Sequence, residues 1–208
     1  MSNQLVITIS RQFGSGGRQV GVLLSRALHI PCYDKAIIEK AAEESGLAPE
    51  YIQRAEAGSQ NQFFFNLAMT DYVQTGSFTQ YNPVHSTFHA QSRVIKELAQ
   101  KGNCIIVGRC GNYILRDRPN TVHVFVYGEE EQRLKRAIQD YGLDKDEAKK
   151  MLNQVDKGRS NYYRNFTGEK YGQKESFDLM INSSTMGVDG TVNILCSYAQ
   201  YICADDEL

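Results

Sequence analysis

The run Gly14-Ser15-Gly16-Gly17-Arg18-Gln19 has little side-chain bulk until a cation arrives at its end. Such a backbone can curl and aim successive N–H groups inward, and where it leads into a helix N-terminus those groups bind anions, phosphate above all. Val6-Ile7-Thr8-Ile9 before it is β-forming, and Val20, Val22, Leu23 and Leu24 after it begin a helical apolar pattern. Strand, glycine-rich turn and helix in that order is the setting of a nucleotide-phosphate loop. Its register is open. Anchored on Gly17, the standard G-x-x-x-x-G-K-[ST] pattern puts Gln12 at the first glycine, Arg18 at the lysine and Gln19 at the hydroxyl. Anchored on Gly16, the lysine slot falls on Gly17 and the hydroxyl slot on Arg18. Arginine keeps the charge but forks onto two oxygens where lysine makes a point contact, and Gln19 is a weaker magnesium ligand than a hydroxyl. A competing pattern, Gly14-x-Gly16 with Asp34 about 20 residues on, begins a dinucleotide fingerprint. Gln19 is too bulky for its third glycine, and no hydride-acceptor site accompanies it.

Further along, Cys104-Ile105-Ile106-Val107 runs into Gly108-Arg109-Cys110-Gly111. An arginine at the carboxyl end of a buried parallel strand stands where ligands bind in open α/β sheets, so Arg109 is expected to hold a phosphate or carboxylate. Asp34, closing the short run Pro31–Tyr33, either serves catalysis, as general base, as the group that positions an acceptor hydroxyl or as an outer ligand of magnesium, or caps the helix that follows. Asp156, Arg159 and Arg164 lie in a polar stretch read as a closing flap. Phosphoryl transfer spreads negative charge over the equatorial oxygens, which arginines on a lid neutralise once substrate is bound. Tyr162 and Tyr163 either stack on a base or pack the flap down. Arg133 and Arg136, three apart on one helical face, read as a solvated pair. His29, His85, His89 and His123 share no metal-binding spacing, so no protein-held metal is expected.

The elements that must position these groups alternate. Strands are expected at Leu5–Ile9, Pro31–Tyr33, Asn103–Val107, Thr121–Tyr127 and Asp178–Asn182. Helices are expected after Gly17, over Lys35–Ser45, Ser86–Lys101, Glu129–Tyr141 and Val188–Cys203. Alternating strands and helices imply a parallel sheet covered on both faces. Two segments interrupt the pattern: an aromatic stretch between Glu50 and Pro83 with Phe63-Phe64-Phe65, which reads as a cleft cover, a homodimer contact or an ordinary satellite core, and the flap from Asp144 to Gln173. The 208 residues suit one domain, with an acceptor-side insertion at about 48–85 and a lid at about 144–173. A net charge of −1 gives no ground for a nucleic-acid polymer as partner. Five scattered cysteines and no membrane-length apolar run point to a reduced, cytoplasmic protein without membrane attachment.

In the order ITISRQFGSGGRQVG, PCYDK, IIVGRCGNYIL, VHVFVYGEEEQRLKRA, DKGRSNYYRNFTG and FDLMINSSTMGVD, these pieces resemble the cytidylate kinase-like proteins, a branch of the P-loop nucleoside monophosphate kinases. The resemblance covers essentially the whole chain. It implies a three-layer α/β P-loop NTPase fold, with a five-stranded parallel sheet in the order 2-3-1-4-5, helices on both faces, a helical insertion and a lid. It also implies ATP with nucleotide-borne Mg2+, a nucleotide acceptor such as CMP or dCMP, and phosphoryl transfer between them. Gly14 to Gln19 would hold the donor, with Arg18 as the loop's cation. Asp34 and Arg109 would hold the acceptor, while Arg159 and Arg164 would act as lid arginines. The chain departs from the cytidylate kinases in lacking the loop lysine and in placing Val107 where an acid precedes the Gly-Arg pair. The alternative reading is a nucleotide-binding sensor on a kinase-derived fold.

Overall fold

A computed structural model describes residues 4–34, 37, 40, 43–44 and 83–204. Five strands, β1 (Val6–Arg11), β2 (Cys32–Tyr33), β3 (Cys104–Val107), β4 (Thr121–Tyr127) and β5 (Leu179–Asn182), make one sheet in the order β2-β3-β1-β4-β5. Every pairing is parallel. The order is the one expected from the resemblance, and the strands fall within two residues of their sequence-based bounds. Six helices are described: α1 (Gly17–Leu28), α2 (Pro83–Lys101), α3 (Gly111–Ile114), α4 (Glu130–Tyr141), α5 (Lys145–Thr167) and α6 (Ser183–Ala204). The short α3 had no counterpart in the sequence pattern. The architecture is the three-layer P-loop fold.

Alternation along β1 divides the core between the two sheet faces. Ile7 and Ile9 point to one side, where Val20 and Leu24 of α1 and Val192, Leu195 and Ala199 of α6 close over them with Val107, Val124 and Val126. Val6 points to the other, against Val94, Ile95, Leu98 and Ala99 of α2, joined by Ile106 and Leu115. Each of these buried valine, leucine and isoleucine side chains contributes about 1.5–3 kcal/mol of transfer free energy. The stripe Val94, Ile95, Leu98 and Ala99 is the one the helical spacing predicts.

A third, smaller cluster bears directly on the loop. Ala137, Ala148 and Leu152 bring α4 and α5 together, and Phe13 packs onto them with Leu134 and Ile138. Its ring lies 5.4 Å from that of Tyr141. Helix α5 starts at the Asp144 cap, whose carboxylate accepts from the Glu147 amide at 2.8 Å, and it runs unbroken to the left-handed Gly168. The flap sequence is therefore one 23-residue helix for most of its length.

Because all five strands are parallel, the residues that follow them share one edge of the sheet. The glycine loop after β1, Asp34 after β2, Gly108-Arg109 after β3, Gly128 after β4 and Ser183 after β5 all lie there. Residues 48–82 of the expected insertion, its aromatic run included, and most of the helix expected over Lys35–Ser45 lie outside the described residues, and Pro83 to His85 open α2. No helix of the described residues is long and apolar enough to cross a membrane.

Candidate active site

Gly14 and Gly16 have φ of 73° and 78°, left-handed values that a glycine adopts without strain. Ser15 stands between them, and Gly16 caps α1. Left-handed residues alternating with ordinary ones form a backbone nest, a concavity of N–H groups. A side chain at Gly14 would sit 2.5 Å from the Arg133 carbonyl oxygen, so its space is closed as well as its backbone special.

The loop's other polar groups are turned away from that concavity and tied down. The Ser15 hydroxyl donates to the Gln12 carbonyl at 2.9 Å, and the Gly128 amide donates to the Gln12 side chain at 3.2 Å. Arg136 Nη1 donates to the Gly14 carbonyl at 2.8 Å. The Ser183 hydroxyl lies 2.7 Å from the Ser15 carbonyl and 3.0 Å from that of Tyr127, tying the loop to two other strand ends. The Phe13 amide donates to Asp156 Oδ1 at 2.7 Å. By contrast, the amides of Gly16, Gly17, Arg18 and Gln19 donate no hydrogen bond among the described residues. These are the orphan donors of a helix start, with the helix dipole behind them.

The nest favours the register anchored on Gly16. The last left-handed glycine, Gly16, turns the chain into the helix, so the lysine slot is Gly17 and the hydroxyl slot is Arg18. Arg18 is exposed, and its Nε lies 3.3 Å from Asp34 Oδ2. Gln19 is exposed on the next residue of α1. Asp34 also faces Arg109, whose Nη2 is 3.8 Å from Oδ1. The structure thus brings Arg18, Asp34 and Arg109 together from three separate strand ends. Arg109 is reached through three consecutive left-handed residues, Gly108, Arg109 and Cys110 (φ 78°, 58° and 55°). Two of them carry a Cβ, and this stored strain is of a kind that clusters at functional sites.

Helix α5 closes the other side. Arg159 Nη1 donates to the Arg11 carbonyl at 3.0 Å and lies 3.6 Å from Asp156 Oδ1. Asp156 Oδ2 meets Arg133 Nη2 at 3.0 Å. Burial pushes the Asp156 carboxyl above its ordinary pKa; the Phe13 amide, Arg133 and Arg159 oppose that shift. Arg164, by contrast, points to solvent and forms no ion pair among the described residues. Tyr163 is a packing residue. Its buried hydroxyl accepts from Asn112 at 2.8 Å and donates to Glu169 at 3.2 Å, and burial raises its pKa. Tyr162 lies among Phe88 and Phe166 and bonds to Gln91.

The expectation that Arg133 and Arg136 form a solvated pair is overturned. Arg133 is 9% exposed because it reaches inward to Asp156, and Arg136 reaches the loop at Gly14. Helical spacing alone located their common face but not what packs against it. A further group sequence reading passed over is Arg11, the last residue of β1, which lies against Gly17. Its signal was available: a long cation stands in the first-glycine slot once Gly16 is taken as the anchor.

A model of the cytidylate kinase-like family matches residues 6–185. The chain belongs to the cytidylate kinase-like family. Among solved structures, an uncharacterized protein from Eubacterium ventriosum ATCC 27560 is 25% identical, with a TM-score of 0.69 over 95% of this chain and 99% of that one. Shikimate kinase from Bacteroides thetaiotaomicron is 13% identical (TM-score 0.51, 95% and 99% covered). Shikimate kinase from Acinetobacter baumannii, in complex with shikimate, is 14% identical (TM-score 0.52, 95% and 94% covered). At that identity the two kinases share the fold alone. No curated protein matches the chain. The site described above is where a cytidylate kinase-like fold brings its loop, its strand ends and its lid helix together.

Proposed function

We propose that this cytidylate kinase-like protein transfers a phosphoryl group from ATP to a small phosphorylated acceptor, first of all a nucleoside monophosphate such as CMP or dCMP. The observation that carries this reading is the juxtaposition of an empty-handed N–H nest, Gly16 to Gln19, with an aspartate bridged by two arginines at the same sheet edge. A donor needs the first and an acceptor the second.

The residues present suit a triphosphate: four orphan amides and a helix dipole face it. They do not suit a magnesium ion held by the loop itself. The hydroxyl slot holds a guanidinium, and no cluster of potential metal ligands exists among the described residues. Any magnesium would arrive on the nucleotide. ATP, when bound, supplies the transferable phosphoryl group.

The chain's part is positioning and charge. The nest amides from Gly16 to Gln19 hold the donor's phosphates. Arg109 holds the acceptor's phosphate, and Asp34 fixes Arg109 and Arg18 in place while orienting the acceptor. Arg159 brings a cation from α5 to the loop, and Arg164, five residues along the same helix, adds a second as the lid seats. The free thiols at Cys32, Cys104, Cys110 and Cys196 suit a reducing cytoplasm.

The competing reading, a nucleotide sensor, draws on Gly17 in the lysine slot and Arg18 in the hydroxyl slot. Release of ADP from ATP, measured with and without a panel of ribo- and deoxyribonucleoside monophosphates, separates the two. Acceptor-dependent release is the expected result. Nucleotide binding without release, across the whole panel, would leave the sensor.

A further inference from the structure

The lysine slot is glycine, yet the space a lysine stem would use is filled. A Cβ built on Gly17 would lie 2.6 Å from Arg11 Cβ and 3.1 Å from Arg11 Cγ. The Arg11 stem therefore runs over the start of α1 where the side chain of the lysine slot would begin. Its guanidinium crosses to the end of β3, where a Cβ on Gly108 would fall on Arg11 Nη1. Glycine at both 17 and 108 is what lets this side chain lie across the sheet edge, between the donor nest and the Arg109 corner.

We propose that Arg11 is the phosphate-binding cation of this loop. In this chain the charge enters from the first-glycine slot, and the lysine slot has become glycine to admit it. This deepens the kinase reading of the site and rests on it for the identity of the donor.

Arg11's main chain is fully committed. Its carbonyl accepts from the Tyr171 hydroxyl at 2.9 Å and from Arg159 Nη1 at 3.0 Å, and its amide donates to Tyr171 at 3.1 Å. Its guanidinium, in contrast, makes no hydrogen bond and no ion pair among the described residues. The neighbouring charges are mixed: Arg159 and Arg109 repel it, while Asp34 attracts it. Burial, with Arg159 next, lowers its pKa to about 10, which leaves it charged at neutral pH. A cation in that condition lacks only an anion. The exposed Arg18, already paired with Asp34, is the weaker candidate for the same duty.

Inorganic pyrophosphate and ATP, titrated calorimetrically into the full chain, test this without requiring turnover. Arg11→Ala is expected to weaken both about 10- to 100-fold, the scale of a lost charge-assisted hydrogen bond. The exchange variant Arg11→Gly/Gly17→Lys, which returns the charge to the lysine slot and clears its stem, is expected to recover most of that loss. Thermal melts of each variant establish that it is folded before titration. A folded Arg11→Ala protein that binds both ligands like the parent overturns the proposal. So does an exchange variant that binds no better than Arg11→Ala, and so does a parent chain that binds neither ligand. Binding that follows Arg11 in a protein that releases no ADP supports the assignment of Arg11 while removing the kinase reading.

Discussion

Gly14 shows how tightly the shape of the loop is fixed. Its φ of 73° admits few side chains, and any Cβ there meets the Arg133 carbonyl at 2.5 Å. Gly14→Ala is expected to cost about 2–3 kcal/mol, from backbone strain and that contact together, read as a lower melting temperature with anion binding lost. His123 gives a pH test of the fold away from the site. Its Nδ1 lies 2.8 Å from the Thr8 hydroxyl, and burial lowers its pKa below the ordinary histidine value, with Asp178 opposing. The folded chain then resists the proton that the unfolded chain accepts. Stability from this residue is therefore full above the ordinary histidine pKa, about 6.5, and is lost as pH falls below it. His123→Asn should flatten the melting temperature across that interval; an unchanged slope would place the titration elsewhere.

At the level of elements, α5 is both wall and lever. It holds the loop through Asp156 on the Phe13 amide and reaches the end of β1 through Arg159. Arg159→Ala is expected to reduce acceptor-dependent turnover sharply, by about 10- to 1,000-fold, as for a removed transition-state donor, with a smaller effect on ATP binding. Arg164→Ala should lower turnover less, since the side chain must travel from solvent to contribute. Equal and negligible effects on kcat from both variants would remove the lid from the chemistry. These contacts also mark where sequence reading ran short. The apolar stripe of α2 and the strands were legible because burial imposes a period, 3.6 or 2, on the residues themselves. Arg133 and Asp156 are 23 positions apart on different helices, and no period encodes their meeting. The same holds for Arg11: its stem lies over Gly17 because of how β1 feeds α1, which a loop motif read in one dimension does not express.

Across the whole molecule, five parallel strands deliver the loop, Asp34, Arg109 and Ser183 to a single edge, so the fold does the assembling and the side chains specify the ligand. The parallel, two-sided sheet followed from alternating strands and helices, while its strand order followed from the family resemblance. On the proposed reading a ligand bridges groups that follow β1, β2 and β3, and it should stabilise the domain as one body. ATP at 100 times its Kd is expected to add about 2.7 kcal/mol, visible as a rise in melting temperature that Arg11→Ala diminishes. ADP release from ATP in the presence of CMP, dCMP and the other nucleoside monophosphates tests the proposed phosphoryl transfer most directly. The expected result is release that depends on the acceptor, is strongest with one or two of them, and falls when Arg109 is replaced by alanine. Acceptor-independent release, or none with any acceptor while ATP still binds, would contradict it.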